Sequence, residues 1–305
     1  MDLDQLRLFV DLVREQSFTR VAAKNFVSQP AVSLRLQKLE EELGARLLDR
    51  TRRRMAITEE GRILYDYACQ ILEKADEMRE VLRDRQDRPS GSIRLCTVNS
   101  IGLYEFPPVL TEFIRRHPEV HLHIDYRLSD QVYQAVAEGA ADLGLVAYPE
   151  ARGGIRVVPF LEDELVLICN KRHPLAGRDE VPLEALSGTP LIAFEPEIPT
   201  RKATDSLLAE ARVPVNIRVQ CDNLEVMKKM VEVGLGVAFV PRLSVREEAR
   251  RGTLCVIHIE GRRIPRSLAV VHRNGRTLTR AQTALLDLLV NEGATLLARS
   301  LEREE

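Results

Sequence analysis

Arg88-Pro89-Ser90-Gly91 divides this sequence into two textures, and that division constrains the fold more than any other feature. Over the first 88 residues there is one proline (Pro30) and there are two glycines (Gly44, Gly61), and the apolar residues fall at helical spacing. Beyond the linker the pattern changes to strands alternating with helices. A chain of 305 residues is too long for one ordinary core. The change of texture therefore marks a domain boundary.

In the first part, Leu3, Leu6, Phe9, Val10 and Val13 make the stripe of a first helix, with Asp2 as its N-cap. Ser17 and Thr19 open a second, short helix that runs through Val21, Ala22 and Phe26. A third runs from Pro30 to Leu43 after Ser28 and closes at Gly44, with proline first and glycine last. Residues 45–58 read as two short strands. Thr58 then caps a long helix with an acidic first turn, unbroken until Pro89. Its Leu64, Ala68, Ile71, Ala75, Met78 and Leu82 form a heptad-like seam, which predicts burial against a copy of itself in a second chain. Packing within its own domain is the alternative.

After the linker, nine segments read as strands, from 92–98 to 268–273. Amphipathic helices at 101–117, 130–139, 200–211, 223–233 and 279–298 lie among them. This alternation predicts an α/β sandwich on a mainly parallel sheet, and the length suits two sub-domains.

Several function classes are disfavoured. Cys69, Cys96, Cys169, Cys221 and Cys255 are scattered, so neither a zinc site nor a disulfide framework is expected, and each reads as a small hydrophobe. His121 and His123 share one strand face without a partner at a metal-ligand interval. There is no GxSxG, no P-loop and no dinucleotide fingerprint: Gly234-Leu235-Gly236 ends a helix rather than beginning one. Neither catalysis, a cofactor nor a metal is expected. No apolar run is long enough for a membrane span and MDLDQLRLF is unlike a signal peptide, which predicts a cytoplasmic protein.

Net charge is −2, so nucleic-acid binding needs local support. Arg46, Arg50, Arg52, Arg53 and Arg54 supply it, against Asp49 alone. Two short helices joined by a tight turn at Val27-Ser28 can set the second in a major groove. Ser28, Gln29, Pro30, Ser33 and Arg35 would face bases and phosphates, while Val32, Leu36, Leu39 and Leu43 face the core. Arg50, Arg52 and Arg53 would lie along the backbone or in the minor groove, setting affinity rather than sequence preference. Three helices and a basic turn also occur in proteins that never touch DNA.

Five pieces resemble the N-terminal signature of LysR-type transcriptional regulators: SFTRVAA from Ser17, SQPAVS from Ser28, LEEELG from Leu39, LLDR from Leu47 and TEEG from Thr58. ADLGL from Ala141 and GLGVAFVP from Gly234 extend the likeness through the α/β part. Leu48 stands where the family more usually has Phe. The resemblance implies a winged helix-turn-helix at 1–58, a linker and dimerisation helix at 59–88, and an effector-binding domain at 91–305. That domain would be a two-lobed α/β fold like type 2 periplasmic binding proteins. Its lobes would be joined near Phe160–Glu162 and Ile264–Arg266, giving sub-domain I at about 91–161 plus 266–295 and sub-domain II at about 162–265. It also implies homodimers, usually assembled into homotetramers on promoter DNA, with RNA polymerase as a further partner of an activator.

In a two-lobed α/β domain a ligand sits between lobes at the carboxyl ends of strands. Asn99 and Ser100 leave one strand there, Thr200 and Arg201 begin a helix, and Tyr148 ends another strand. Helix starts of this kind favour anions, so a small anionic metabolite is the expected effector. Plain N-capping by Ser100 and Thr200, and a solvated Arg201, are the competing readings.

Overall fold

The computed structural model describes residues 1–49, 55–83 and 89–303. The chain forms two compact units, Met1–Arg85 and Gln86–Glu305. In the first, α1 (Leu3–Glu15), α2 (Phe18–Lys24) and α3 (Gln29–Leu43) precede a two-stranded wing of β1 (Leu48–Asp49) and β2 (Ala56–Ile57), and α4 (Glu59–Arg83) follows. Each helix begins on a side-chain oxygen. Asp2 and Gln5 form a reciprocal capping box on α1, Ser17 caps α2 and Ser28 caps α3. The Thr58 hydroxyl accepts from the Gly61 amide at 2.9 Å to start α4.

Leu8, Phe9 and Leu12 of α1 pack with Val21 and Ala22 of α2, with Val32, Leu36 and Leu39 of α3, and with Leu47 and Leu48. The other side of α1, through Leu6 and Val10, meets Ala68 and Leu72 of α4. So the expected seam divides. Leu64 and Ala68 are taken up within the unit, whereas Ile71 and Met78 are exposed, together with Ile63 and Tyr67. The side chain of Leu82 lies outside the described residues. Leu43, expected in the core, is exposed because α3 ends there and Leu47 and Leu48 fill the space instead.

The second unit contains, in order, β3 (Gly91–Thr97), α5 (Pro107–Arg116), β4 (Val120–Tyr126), α6 (Ser129–Ala137), β5 (Leu143–Ala147) and β6 (Ile155–Asn170). Next come β7 (Glu180–Val181), β8 (Pro190–Phe194), α7 (Pro199–Glu210), β9 (Asn216–Cys221), α8 (Leu224–Glu232) and β10 (Ala238–Pro241). The unit ends with α9 (Arg246–Arg251), β11 (Leu254–Ile259), β12 (Pro265–Arg273), α10 (Arg280–Asp287) and α11 (Gly293–Arg303). The main sheet runs β4-β3-β5-β12-β6-β11-β7, with β10 also on β6, and β8 pairs with β9.

This sheet is mixed rather than mainly parallel. β3 runs parallel to β4 and β5, but β12 is antiparallel to both β5 and β6, and β10 and β11 are antiparallel to β6. Two strands expected at 155–161 and 164–170 are one 16-residue strand, β6, because Glu162-Asp163-Glu164 contains no breaker. The short β7, β11 and α9 were not expected. The helix expected over 101–117 begins earlier, at Asn99, and passes through a π-helical turn, Ile101–Glu105, before α5, and α10 passes into α11 through another, Leu288–Glu292.

β6 serves two lobes. Phe160 and Leu161 belong to a core with Ile93, Leu95, Phe106 and Leu289. From Leu165 onward the strand is buried on both faces, with Leu165 and Leu167 toward one core and Val166 and Ile168 toward another. The change of lobe therefore falls between Leu161 and Leu165 going out, and between Ile264 and Leu268 on return.

Candidate functional site

On the first unit the outward start of α3 carries Gln29, Pro30 and Arg35 exposed, with Ser33 half-buried. The Ser28 hydroxyl accepts from the Ala31 amide at 3.4 Å, so it caps the helix and keeps its own proton to donate. Ser33 and Arg35 are two positions apart, about 200° around the helix, so they cannot approach the same base edge. Arg50, Arg52 and Arg53 lie outside the described residues.

The wing is anchored by two side chains from the resembling motifs. Glu40 accepts from the amides of Leu47 and Leu48 at 2.8 and 3.3 Å. Thr58 donates to the Arg46 carbonyl at 2.7 Å. Gly61 is required by close approach: a Cβ there would lie 2.2 Å from the Leu47 carbonyl oxygen. Two exposed apolar residues of this surface were missed at the sequence level, Phe26 at 96% and Leu34 at 53% exposure.

In the second unit a cavity of about 280 Å³ opens where the strands of both lobes end. Val98, Asn99 and Ser100 follow β3, Arg127 and Leu128 follow β4, and Ala147 ends β5. The other lobe contributes Phe194, the Glu197–Thr200 segment, Asp222, Leu224 and Pro241. Asn99, Ser100 and Thr200 thus line one cavity. Tyr148 and Arg201 do not.

Arg201 is turned inward and buried, donating to the Phe194 carbonyl at 2.7 Å and to Asp205 at 2.8 Å. It ties α7 to the end of β8. Tyr148 packs on the first lobe's core with φ of 51°, and burial pushes its hydroxyl up to about 12.

Neither Ser100 nor Thr200 caps a helix. Ser100 accepts from Arg266 at 2.7 Å and is the second residue of its helix, which starts at Asn99 after the apolar Val98. Thr200 is the second residue of α7, whose N-cap is Ile198. α6 likewise starts at an apolar residue, Leu128. These three helix starts, at Asn99, Ser129 and Pro199, therefore face the cavity with no side-chain acceptor at their caps, Val98, Leu128 and Ile198. α8 differs, because Asn223 accepts from the Glu225 and Val226 amides.

The charges of the lining are mixed. Arg127 stands against Asp130, Glu197 and Asp222, and Asp130 is paired with Arg152. Beneath Ser100, Arg266 is fully buried and donates to Glu105 at 2.6 Å and to Asp163 at 3.4 Å. Burial raises the pKa of both carboxyls, opposed in each case by Arg266. This cluster joins the π-helical turn to β6 and β12 where the lobes meet.

The described lining contains no His, Cys or Lys, so its hydroxyls have no imidazole or amine to activate them. Desolvation pushes Cys96 up to about 11 and Cys169 up to about 12, which keeps both as thiols. Among the described residues no group of His, Cys, Asp or Glu could hold a metal ion, and no helix is long and apolar enough to cross a membrane.

Comparison with known proteins covers both units. Residues 3–62 match the model of the bacterial regulatory helix-turn-helix protein, lysR family, and residues 86–294 match the LysR substrate binding domain. The chain is 29% identical over 287 residues to the HTH-type transcriptional activator CmpR of a Synechocystis species, covering 94% of each. Full-length OxyR from Pseudomonas aeruginosa shares the fold, with a TM-score of 0.76, 24% identity and coverage of 96% of this chain and 94% of that one. The regulatory domain of Synechocystis CcmR, solved in complex with 2-PG, is 26% identical. It covers 66% of this chain and 96% of its own, with a TM-score of 0.61. A helix-turn-helix unit that binds DNA and a two-lobed unit that responds to a small ligand, without an enzyme's machinery, are what this family combines: the protein belongs to the LysR family of transcriptional regulators.

Proposed function

We propose that this regulator reads operator DNA through the start of α3 and the wing, as a dimer joined along α4, and shifts its DNA contacts when a small anionic metabolite enters the cleft. The observation that carries the effector assignment is the set of three cavity-facing helix starts without side-chain caps, at Asn99 after Val98, at Ser129 after Leu128 and at Pro199 after Ile198. Backbone amides at such starts attract an anion. The carboxylates of Asp130, Glu197 and Asp222 disfavour a multiply charged one, so a single acidic group bearing hydroxyls fits best. Asn99, Ser100 and Thr200 supply its polar partners. The 2-PG complex of the CcmR regulatory domain supports a small ligand on this fold.

Dimerisation is supported by Ile63, Tyr67, Ile71 and Met78, an exposed apolar row along α4. Pairing of two such dimers gives the tetramer the family resemblance implies. Ile71→Glu is expected to shift the sedimentation profile toward monomer, and an unchanged profile removes α4 from the interface.

The whole reading is tested with a duplex selected by the protein from a random pool, titrated with and without a panel of small hydroxy acids. Wild type should gain or lose DNA affinity with one of them, and Thr200→Ala should need more of that acid. Gln29→Ala should lose about 1–3 kcal/mol of discrimination at particular base pairs. Binding of every duplex by Gln29→Ala as wild type binds it sinks the recognition face.

A further inference from the structure

α2 ends in a backbone motif that one residue type does not suit, and that residue is Phe26. The Val27 amide bonds to the Ala22 carbonyl at 3.0 Å and the Phe26 amide to the Ala23 carbonyl at 3.3 Å. These are the two bonds of a Schellman C-cap, in which Phe26 occupies the left-handed position normally taken by Gly or Asn. Its φ is 53°, an outlier for a bulky side chain. The ring gains nothing in return, being 96% exposed. Two residues further on, Ser28 caps α3, and Gln29 and Pro30 begin its outward face.

We propose that Phe26 is a DNA-contacting residue, an apolar wedge at the mouth of the major groove that packs on the 5-methyl group of thymine. A residue that breaks the local backbone preference without stabilising the fold is expected where function requires it. Phe is among the side chains that make apolar contact with the thymine methyl, the one apolar feature of the major-groove edge. The placement is continuous with the recognition face, and the inference rests on that face meeting DNA. Asn25, by contrast, turns inward and donates to Asp11 at 3.2 Å, so of the two residues in the turn only Phe26 is presented outward.

The test uses Phe26→Asn in the full chain, because Asn tolerates the left-handed conformation. Its melting temperature should rise by about 2–4 °C as the strain is relieved. Its affinity for a duplex selected by wild type from a random pool should fall roughly five- to tenfold. Replacing the thymines of that duplex by deoxyuracil should weaken wild type by a similar factor and leave the variant unchanged. Gln29→Ala is measured alongside. Full affinity in Phe26→Asn with weakened Gln29→Ala overturns the role of Phe26 and spares the recognition face. Full affinity in both overturns the face and the wedge together. A loss in Phe26→Asn that is the same on thymine and deoxyuracil duplexes overturns the methyl contact.

Discussion

The DNA-binding unit and the effector cleft treat their helix starts in opposite ways. Asp2, Ser17, Ser28 and Thr58 each satisfy the first turn of a helix internally. At the cleft, Leu128 and Ile198 offer nothing, and Ser100 is engaged by Arg266 instead. A unit that must hold one shape for DNA closes its own hydrogen-bonding groups, whereas a unit that must respond leaves groups for a ligand to close. The difference also shows where each unit keeps its charge. The cleft's supporting cation, Arg266, is buried beneath it, while the outward start of α3 shows Gln29, Pro30 and Arg35.

The largest expected effect breaks the support of the cleft. Arg266→Met strands Glu105 and Asp163 without their cation at sites nearly closed to water. Removing one partner of a buried ionic cluster costs about 3–5 kcal/mol. Both carboxyls already have raised folded pKa values, chiefly from burial. A raised folded pKa gives stability that is present below the unfolded value and lost as pH rises through the folded one. The variant raises them further, so its deficit should be smallest in acid and grow as pH increases. Calorimetric melting at several pH values reads this directly, and a deficit independent of pH removes the two carboxyls from the explanation.

The second effect strikes the other side of the contrast. Thr58→Ala removes the α4 cap and the hydroxyl that donates to Arg46, and should cost about 1–2 kcal/mol. Because the same hydroxyl holds the strand leading into the wing, DNA affinity should fall with stability. A melting curve equal to wild type would show that the cap is replaceable by water.

What was legible in the sequence follows this contrast. Caps, the Pro30 and Gly44 boundaries and the α3 core stripe are local signals, since each depends on residues within one or two turns. The signature motifs also acquire physical reasons: Glu40 reaches the wing amides and Gly61 clears the Leu47 carbonyl. The cleft was half legible. Strand ends pointed to Asn99 and Ser100 and a helix start to Thr200, all of which line the cavity, but spacing cannot say which way a first turn faces, and Arg201 points inward. Arg127 was hidden inside an expected strand that ends at Tyr126. The Arg266 cluster joins residues 161 and 103 positions apart, which no local pattern encodes. Phe26 escaped because a bulky residue was not expected in a left-handed turn. The mixed sheet escaped because alternation of strands and helices carries no strand direction.

The smallest effect sharpens the contrast by giving the cleft what the DNA-binding unit already has. Leu128 is 44% exposed, lines the cavity and has the extended conformation of an N-cap, with φ −69° and ψ 154°. A serine hydroxyl there can accept from the Gln131 amide, as Ser17 does from Arg20 and Ser28 from Ala31. Leu128→Ser should therefore stabilise the unit by about 0.5–1 kcal/mol, less whatever the half-exposed leucine contributes. The same bond withdraws one amide from the cavity, so the acid that wild type binds should bind a few-fold more weakly. Stability and ligand affinity would then move in opposite directions from one added oxygen. If stability rises while ligand affinity holds, the start of α6 is open for a reason other than the effector, and the proposed anion site is left with the starts at Asn99 and Pro199.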